Sequence, residues 1–156
     1  MVYEFLRFAH VVGACVLLGT GAGIAFFMVV SNRSQDPALI AHTAGIVVLA
    51  DTVFTATAAL FQPVTGWLLT RELGYPLLEG WILASLGLYV FVGVFWLPVV
   101  WIQLRMRDIA IDARDRNAPL PLAYHRLYRI WFACGFPAFA AVLVIIWLML
   151  TKPNLF

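Results

Sequence analysis

The chain has 156 residues, 63% of them hydrophobic and 12% charged, with a net charge of +2 at pH 7 and a mean hydropathy of +0.94. A soluble domain carries about twice that share of charge, which argues against a water-soluble enzyme or a nucleic-acid-binding protein and leaves one compact membrane domain as the expectation at this length. The two cysteines, Cys15 and Cys134, fall inside apolar runs, and no CxxC, CxxCH or zinc-type His/Cys spacing occurs. A disulfide framework, covalently attached haem and structural zinc therefore find no support, and inert buried thiols are expected.

The first predicted helix, at about 5–31, contains the uncharged run Phe8–Asn32. Some 25 residues rise about 37 Å as an α-helix, more than the roughly 30 Å hydrocarbon core of a bilayer. The run also exceeds the about 7 to 15 apolar residues of a signal peptide, so a retained membrane helix is expected. His10 lies near its start, and an ionisable residue in such a helix is a functional hypothesis by default. Helical stepping from His10 reaches Ala14, Leu17 and Gly21, with Gly13 and Ala25 at the margins. This face has little side-chain bulk, and either a neighbouring helix or a flat cofactor whose metal the imidazole ligates could approach it closely.

Ser31–Gln35 is a polar turn, and Asp36 followed by Pro37 reads as an N-cap with proline in the first turn of helix two, at about 37–70. Past the cap its one formal charge is Asp51, and Pro63 predicts a kink in its outer third. An aspartate at this depth costs roughly 2.5–3.5 kcal/mol on insertion scales, so it needs a partner or a proton. Asp51, Thr55, Ala58 and Gln62 share a helical row, a partly polar stripe toward the bundle interior, while His42 lies about half a turn away from it. Gly74, Tyr75 and Pro76 mark the next turn. Helix three, at about 80–115, contains Pro98, leaves the membrane near Gln103 and continues as a solvated stalk in which Asp112 and Arg116 are an i,i+4 pair. Asn117, Pro119 and Pro121 end it. Helix four, at about 122–151, has Gly135 and Pro137 in its middle and stops at Lys152 and Pro153.

Arg105, Arg107, Arg114, Arg116, Arg126 and Arg129 crowd around the loop after helix three, whereas the loop after helix two holds Arg71 as its one basic residue. The positive-inside rule then predicts an all-α, integral membrane four-helix bundle with both termini outside, N-out/C-out. Trp81 and Trp147 are expected at the outer interface, and Tyr124 and Tyr128 at the inner one. The basic loop reads as a topology signal in contact with anionic lipid. Depth groups the polar residues as well. His10, Gln62 and Tyr89 could meet in the outer half, with Gln62 or Tyr89 orienting the His10 ring, while His42 and His125 belong to the inner ends of their helices.

The stretches LRFAHVVGACVLLGTGAGIAFF, VVLADTVFTATAALFQPVTGW, GWILASLGLY, FWLPVVWIQLRMRD and YHRLYRIWFACGFPAFAAVLVIIWLM together resemble the bacterial predicted integral membrane proteins of domain-of-unknown-function family 2269, over nearly the whole chain. More distantly, four helices with a histidine early in helix one are similar to the HemJ-type protoporphyrinogen oxidases and the membrane domain of CopD-type copper resistance proteins. In the HemJ group that histidine is implicated in haem b binding, which the resemblance carries to His10. Trp81–Leu88 lacks the lysine that the group bears early in helix three, so the resemblance does not extend to the oxidase reaction. Met1, Met28, Met106 and Met149 form no cluster of soft copper ligands.

Three functions follow as expectations. The first is a haem b or related porphyrin protein with a redox or electron-transfer role, in which His10 is the metal ligand and Gly13, Ala14, Gly21, Gln62 and Tyr89 line the cofactor. It would sit in the bacterial inner membrane as a multi-pass protein, with a homodimer mate or a membrane redox partner. The second is a small-solute or proton carrier titrating Asp51, with Thr55 on the same stripe. The third is a non-catalytic membrane subunit or assembly factor. Neither the substrate nor a reaction is specified by the residues.

Overall fold

The protein is described here by a computed structural model covering residues 1–155. It contains α1 (Val2–Ser34), α2 (Pro37–Ala50), a π-helical turn (Asp51–Thr55), α3 (Ala56–Leu73), α4 (Gly80–Asp115) and α5 (Leu122–Thr151). The segment Pro37–Leu73 runs through α2, the π turn and α3 as one crossing, so the described residues form four helical spans long and apolar enough for a membrane. The architecture is all-α, a bundle of these spans.

Local chemistry sets the ends. Nothing in α1 breaks the helix before Gln35, whose left-handed backbone (φ 54°) closes it with an N–H bond to the Asn32 carbonyl. The helix therefore overruns the apolar stretch at both ends. Asp36 caps α2 as expected, Oδ1 accepting from the Ala38 N–H at 2.8 Å, with Pro37 supplying the first turn. Gly74, at φ 70°, ends α3: its N–H bonds to the Arg71 carbonyl and that of Tyr75 to the Thr70 carbonyl, the paired closure for which a left-handed glycine is suited. The last turns of α4 carry the ion pairs Arg107–Asp108, Arg114–Asp115 and Arg116–Asp112, all exposed except for the half-buried Arg107. Such pairs contribute little stability; they make α4 a water-compatible stalk past the membrane.

The core sits at the arginine-rich end. Met28, Ile40, Met106, Ala110 and Tyr124 are fully buried there, packed among Ile24, Ala41, Ala44, Val47, Ile102 and Trp131. Two expectations are corrected at this point. Tyr124 is the centre of the core rather than a belt residue, because α5 enters the bundle beside α4 with that face inward. Trp81 is likewise buried, edge-on to Tyr75 with the Lys152 ammonium against both rings, while Trp147 does face outward.

The break in helix two also lies elsewhere than expected. Pro63, Pro98 and Pro137 sit within continuous helices, and the irregular turn is Asp51–Thr55, where the Ala56 N–H reaches back to the Asp51 carbonyl. Before it, α2 packs on both α1 and α4; beyond it, α3 packs on α1 and parts from α4. The wider π turn is where the chain changes neighbours.

Candidate functional site

At the end away from the arginine-rich loop, α1 and α3 are joined through His10. Its Nδ1 lies 2.8 Å from Thr65 Oγ1, and that hydroxyl is also 3.0 Å from the Phe61 carbonyl and 3.2 Å from that of Gln62. A hydroxyl has one proton. With the threonine proton given to its own helix, the oxygen accepts from Nδ1–H, so the network assigns the proton to Nδ1 and leaves the Nε2 lone pair free. Nε2 makes no hydrogen bond to any described residue, and the His10 side chain is partly exposed.

The helices come this close because glycines face them. A Cβ on Gly66 would lie 3.3 Å from His10 Cε1, and one on Gly13 would lie 3.0 Å from Gln62 Nε2. Gln62 is buried, and its Nε2 donates to the His10 carbonyl at 2.9 Å while its Oε1 has no partner. His10 and Gln62 thus meet as their depths predict, but Thr65, not Gln62 or Tyr89, holds the imidazole ring. Gly13 admits the Gln62 amide, so it is no open platform for a flat ligand. Ala14 is partly buried on the same face, whereas Gly21 is exposed with nothing near it, and Cys15, expected to be buried, also faces out of the bundle.

Tyr89 has a different role from the one expected of it. Pro63 has no N–H, so the Ala59 carbonyl four residues earlier lacks its helical donor. The Tyr89 hydroxyl, from α4, donates to that carbonyl. One side chain therefore both satisfies the vacancy left by a proline and ties α4 to α3, two helices whose backbones otherwise part beyond the π turn.

A second polar cluster surrounds Asp51, which is buried. Trp96 Nε1 donates to Oδ1 at 3.3 Å. In the amide orientation that satisfies both of its neighbours, Gln103 donates from Nε2 to Oδ2 at 3.2 Å and accepts from Trp131 Nε1 at 3.1 Å. Each carboxylate oxygen has a neutral donor, and the chain Asp51–Gln103–Trp131 links the π turn to α4 and α5. Thr55 stands beside the carboxylate, but its buried Oγ1 makes no hydrogen bond of good geometry. The predicted stripe is thus divided, with Asp51 turned to α4 and Gln62 to α1. His42 is exposed and His125 packs edge-on against Tyr124, both remote from His10 at the arginine end. Among the described residues, no three His, Cys, Asp or Glu side chains come together as a metal cage.

The profile of the family described as "Predicted integral membrane protein (DUF2269)" matches residues 4–153. The chain belongs to that family. This DUF2269 protein is a multi-pass integral membrane protein in contact with a lipid bilayer. No curated protein and no solved structure matches it. Thr65, Gly66, Trp96, Gln103 and Trp131 are the members of the two clusters that sequence reasoning passed over. Gly66 alone carried a signal, since it stands four residues after Gln62 and the two form one face of α3.

Proposed function

We propose that this DUF2269 protein binds haem b or a related porphyrin through His10 and serves in electron transfer within the membrane. The observation that carries the reading is the 2.8 Å contact between His10 Nδ1 and Thr65 Oγ1, with no hydrogen bond on Nε2, the arrangement by which a partner on one ring nitrogen fixes the other for a metal. The donor set fits a single axial ligand rather than a metal cage. Bound haem would supply one-electron chemistry at the iron, with its potential governed by ligand and burial. The chain's own part is to fix the ring plane by Thr65 and Gly66, to hold the α1 backbone at His10 by Gln62, and to present exposed aromatic surface at Phe61 and Phe8. Because Gln62 fills the space over Gly13, a porphyrin would lie against the open side of the α1–α3 pair, where a second protomer or a membrane redox partner could cover it.

The distribution of arginines favours an orientation with both termini outside the cytoplasm, which puts His10 in the outer leaflet of a bacterial inner membrane. Haemin titrated into the detergent-solubilised protein tests the proposal. A Soret shift saturating at one haem per chain or per dimer, absent in His10→Ala and retained in His42→Ala, is the expected result; equal responses in the two variants would reject it.

A specific observation also favours a second reading, that of a proton or small-solute carrier: a buried carboxylate beside a π turn, a backbone irregularity that occurs often at functional sites. Its donors are neutral, so a proton or cation would have to be exchanged there. Loss of pH-driven flux in proteoliposomes on Asp51→Asn would support the carrier, and a colourless protein would then favour it over haem.

A further inference from the structure

Arg126 and Arg129, like Arg33 at the end of α1, differ from the arginines of α4 and its cap. Arg107, Arg114 and Arg116 are each paired with an aspartate, and Arg105 lies over the Trp101 ring. Among the described residues, Arg126 and Arg129 have neither an ion-pair partner nor an aromatic ring beneath them, and both are exposed. With Ile130 and Ala133 they line a shallow, open groove on the outward face of α5, formed by this helix alone. The spacing i, i+3, i+4, i+7 places all four on one side of the helix, with charge at one end of the groove and apolar surface at the other.

Depth gives this polarity a meaning. From Ile130 to Leu150 α5 holds no charged residue, a rise of about 30 Å, which matches the hydrocarbon thickness. Arg129 therefore stands at the boundary of the acyl region and Arg126 one turn farther out, at the level of lipid phosphates. Below them the helix continues outward-facing with Ile130, Ala133 and Phe136.

We propose that this groove is a binding site for one anionic phospholipid, the guanidinium groups of Arg126 and Arg129 holding the phosphate and an acyl chain lying along Ile130, Ala133 and Phe136. A planar guanidinium binds phosphate oxygens in bidentate fashion, and two unpaired ones beside an apolar track match a charged headgroup with a tail. A zwitterionic lipid offers the same tail and a headgroup whose own ammonium competes for the phosphate, so it binds more weakly. The paired arginines of the stalk are already neutralised by aspartates and contribute far less.

Native mass spectrometry of the detergent-solubilised full chain, with phosphatidylglycerol or phosphatidylcholine added, tests the site. Wild type and Arg114→Gln/Arg116→Gln are expected to retain one phosphatidylglycerol in preference to phosphatidylcholine. Arg126→Gln/Arg129→Gln, with the same change in net charge, is expected to lose that preference, by roughly fivefold per arginine. Should the double variant fail to accumulate, Arg126→Gln and Arg129→Gln singly are expected to lose roughly fivefold each. Equal losses in the stalk and groove variants, equal retention of the two lipids by wild type, or displacement of the lipid by millimolar inorganic phosphate would each overturn the proposal.

Discussion

The two ends of this bundle are held together by different means. At the arginine end, Met28, Ile40, Met106, Ala110 and Tyr124 form a fully buried apolar core shared by α1, α2, α4 and α5. At the other end, where Trp81, Ile82 and Leu148 are buried on α4 and α5, α3 is tied to its neighbours by polar contacts: His10 to Thr65, Gln62 to the His10 carbonyl, and Tyr89 to the Ala59 carbonyl. By the charge pattern of α4 and α5, Met106, Ala110 and Tyr124 lie past the hydrocarbon boundary at Gln103 and Arg129, so this core keeps a hydrophobic driving force, whereas apolar contacts between helices within lipid gain none, acyl tails being as apolar as leucine. The comparison teaches that the tight end can be static while the pinned end keeps a chemically competent group, because hydrogen bonds hold a ring without occupying all of it.

The largest effect on this contrast should come from the packed end. Met106→Ala removes a side chain with no exposed surface, and its loss is expected to cost about 2–5 kcal/mol, the range for large-to-small core changes, because α4 has left the hydrocarbon by Met106 and the transfer contribution stands. Unfolding in mixed micelles would measure it. The proposed haem site should be unaffected, and a change in haemin affinity on this substitution would show that the two ends are coupled.

A smaller effect, with a sharper signature, belongs to the pinned end. Tyr89→Phe leaves the Ala59 carbonyl without a donor and is expected to cost roughly 0.6 kcal/mol and no more than about 1.7, the mean and maximum measured for polar contacts between membrane helices. In a Pro63→Ala background the helix supplies its own N–H to that carbonyl, so the same substitution should cost almost nothing. A double-mutant cycle with additive effects would contradict the assignment of Tyr89 to the proline vacancy.

The smallest effect has the opposite sign. The Tyr124 hydroxyl is buried without a hydrogen-bond partner, and a buried unsatisfied polar group costs about 1–3 kcal/mol. Tyr124→Phe is therefore expected to leave stability unchanged or raise it in the same micellar unfolding assay; a loss comparable to that of Met106→Ala would mean that the hydroxyl has a partner essential to the core.

The spans were legible because lipid demands long uncharged runs, and Phe8–Asn32 or Trp81–Gln103 announce themselves by that criterion. The meeting of His10 with Gln62 was legible too, through depth alone. Thr65 was not, since a threonine in a membrane helix commonly bonds back to its own turn, as this one also does, and only coordinates show that its oxygen serves His10 as well. Tyr89 bonds to a backbone carbonyl, which no side-chain pattern reveals; Pro63 was the one clue, and it was read as a kink instead of a vacancy. Nothing in the composition of Asp51–Thr55 marks a π turn. The hydrogen bonds of Asp51 run to Trp96 and Gln103, two turns apart on α4, and are set by a helix crossing that periodicity does not encode. The inward turn of Tyr124 overrode a statistical preference of tyrosine for the membrane interface.

The central claim is that the free nitrogen of His10 ligates iron. It is tested most directly by the oxidised and reduced absorption spectra of the haem-loaded His10→Gly variant, recorded with and without free imidazole. Wild type should show a Soret band and a reduced α band; His10→Gly should lose them, and imidazole should restore them by taking the place of the missing ring. A spectrum that survives His10→Gly unchanged, or a folded wild type that takes up no haem, would contradict the account.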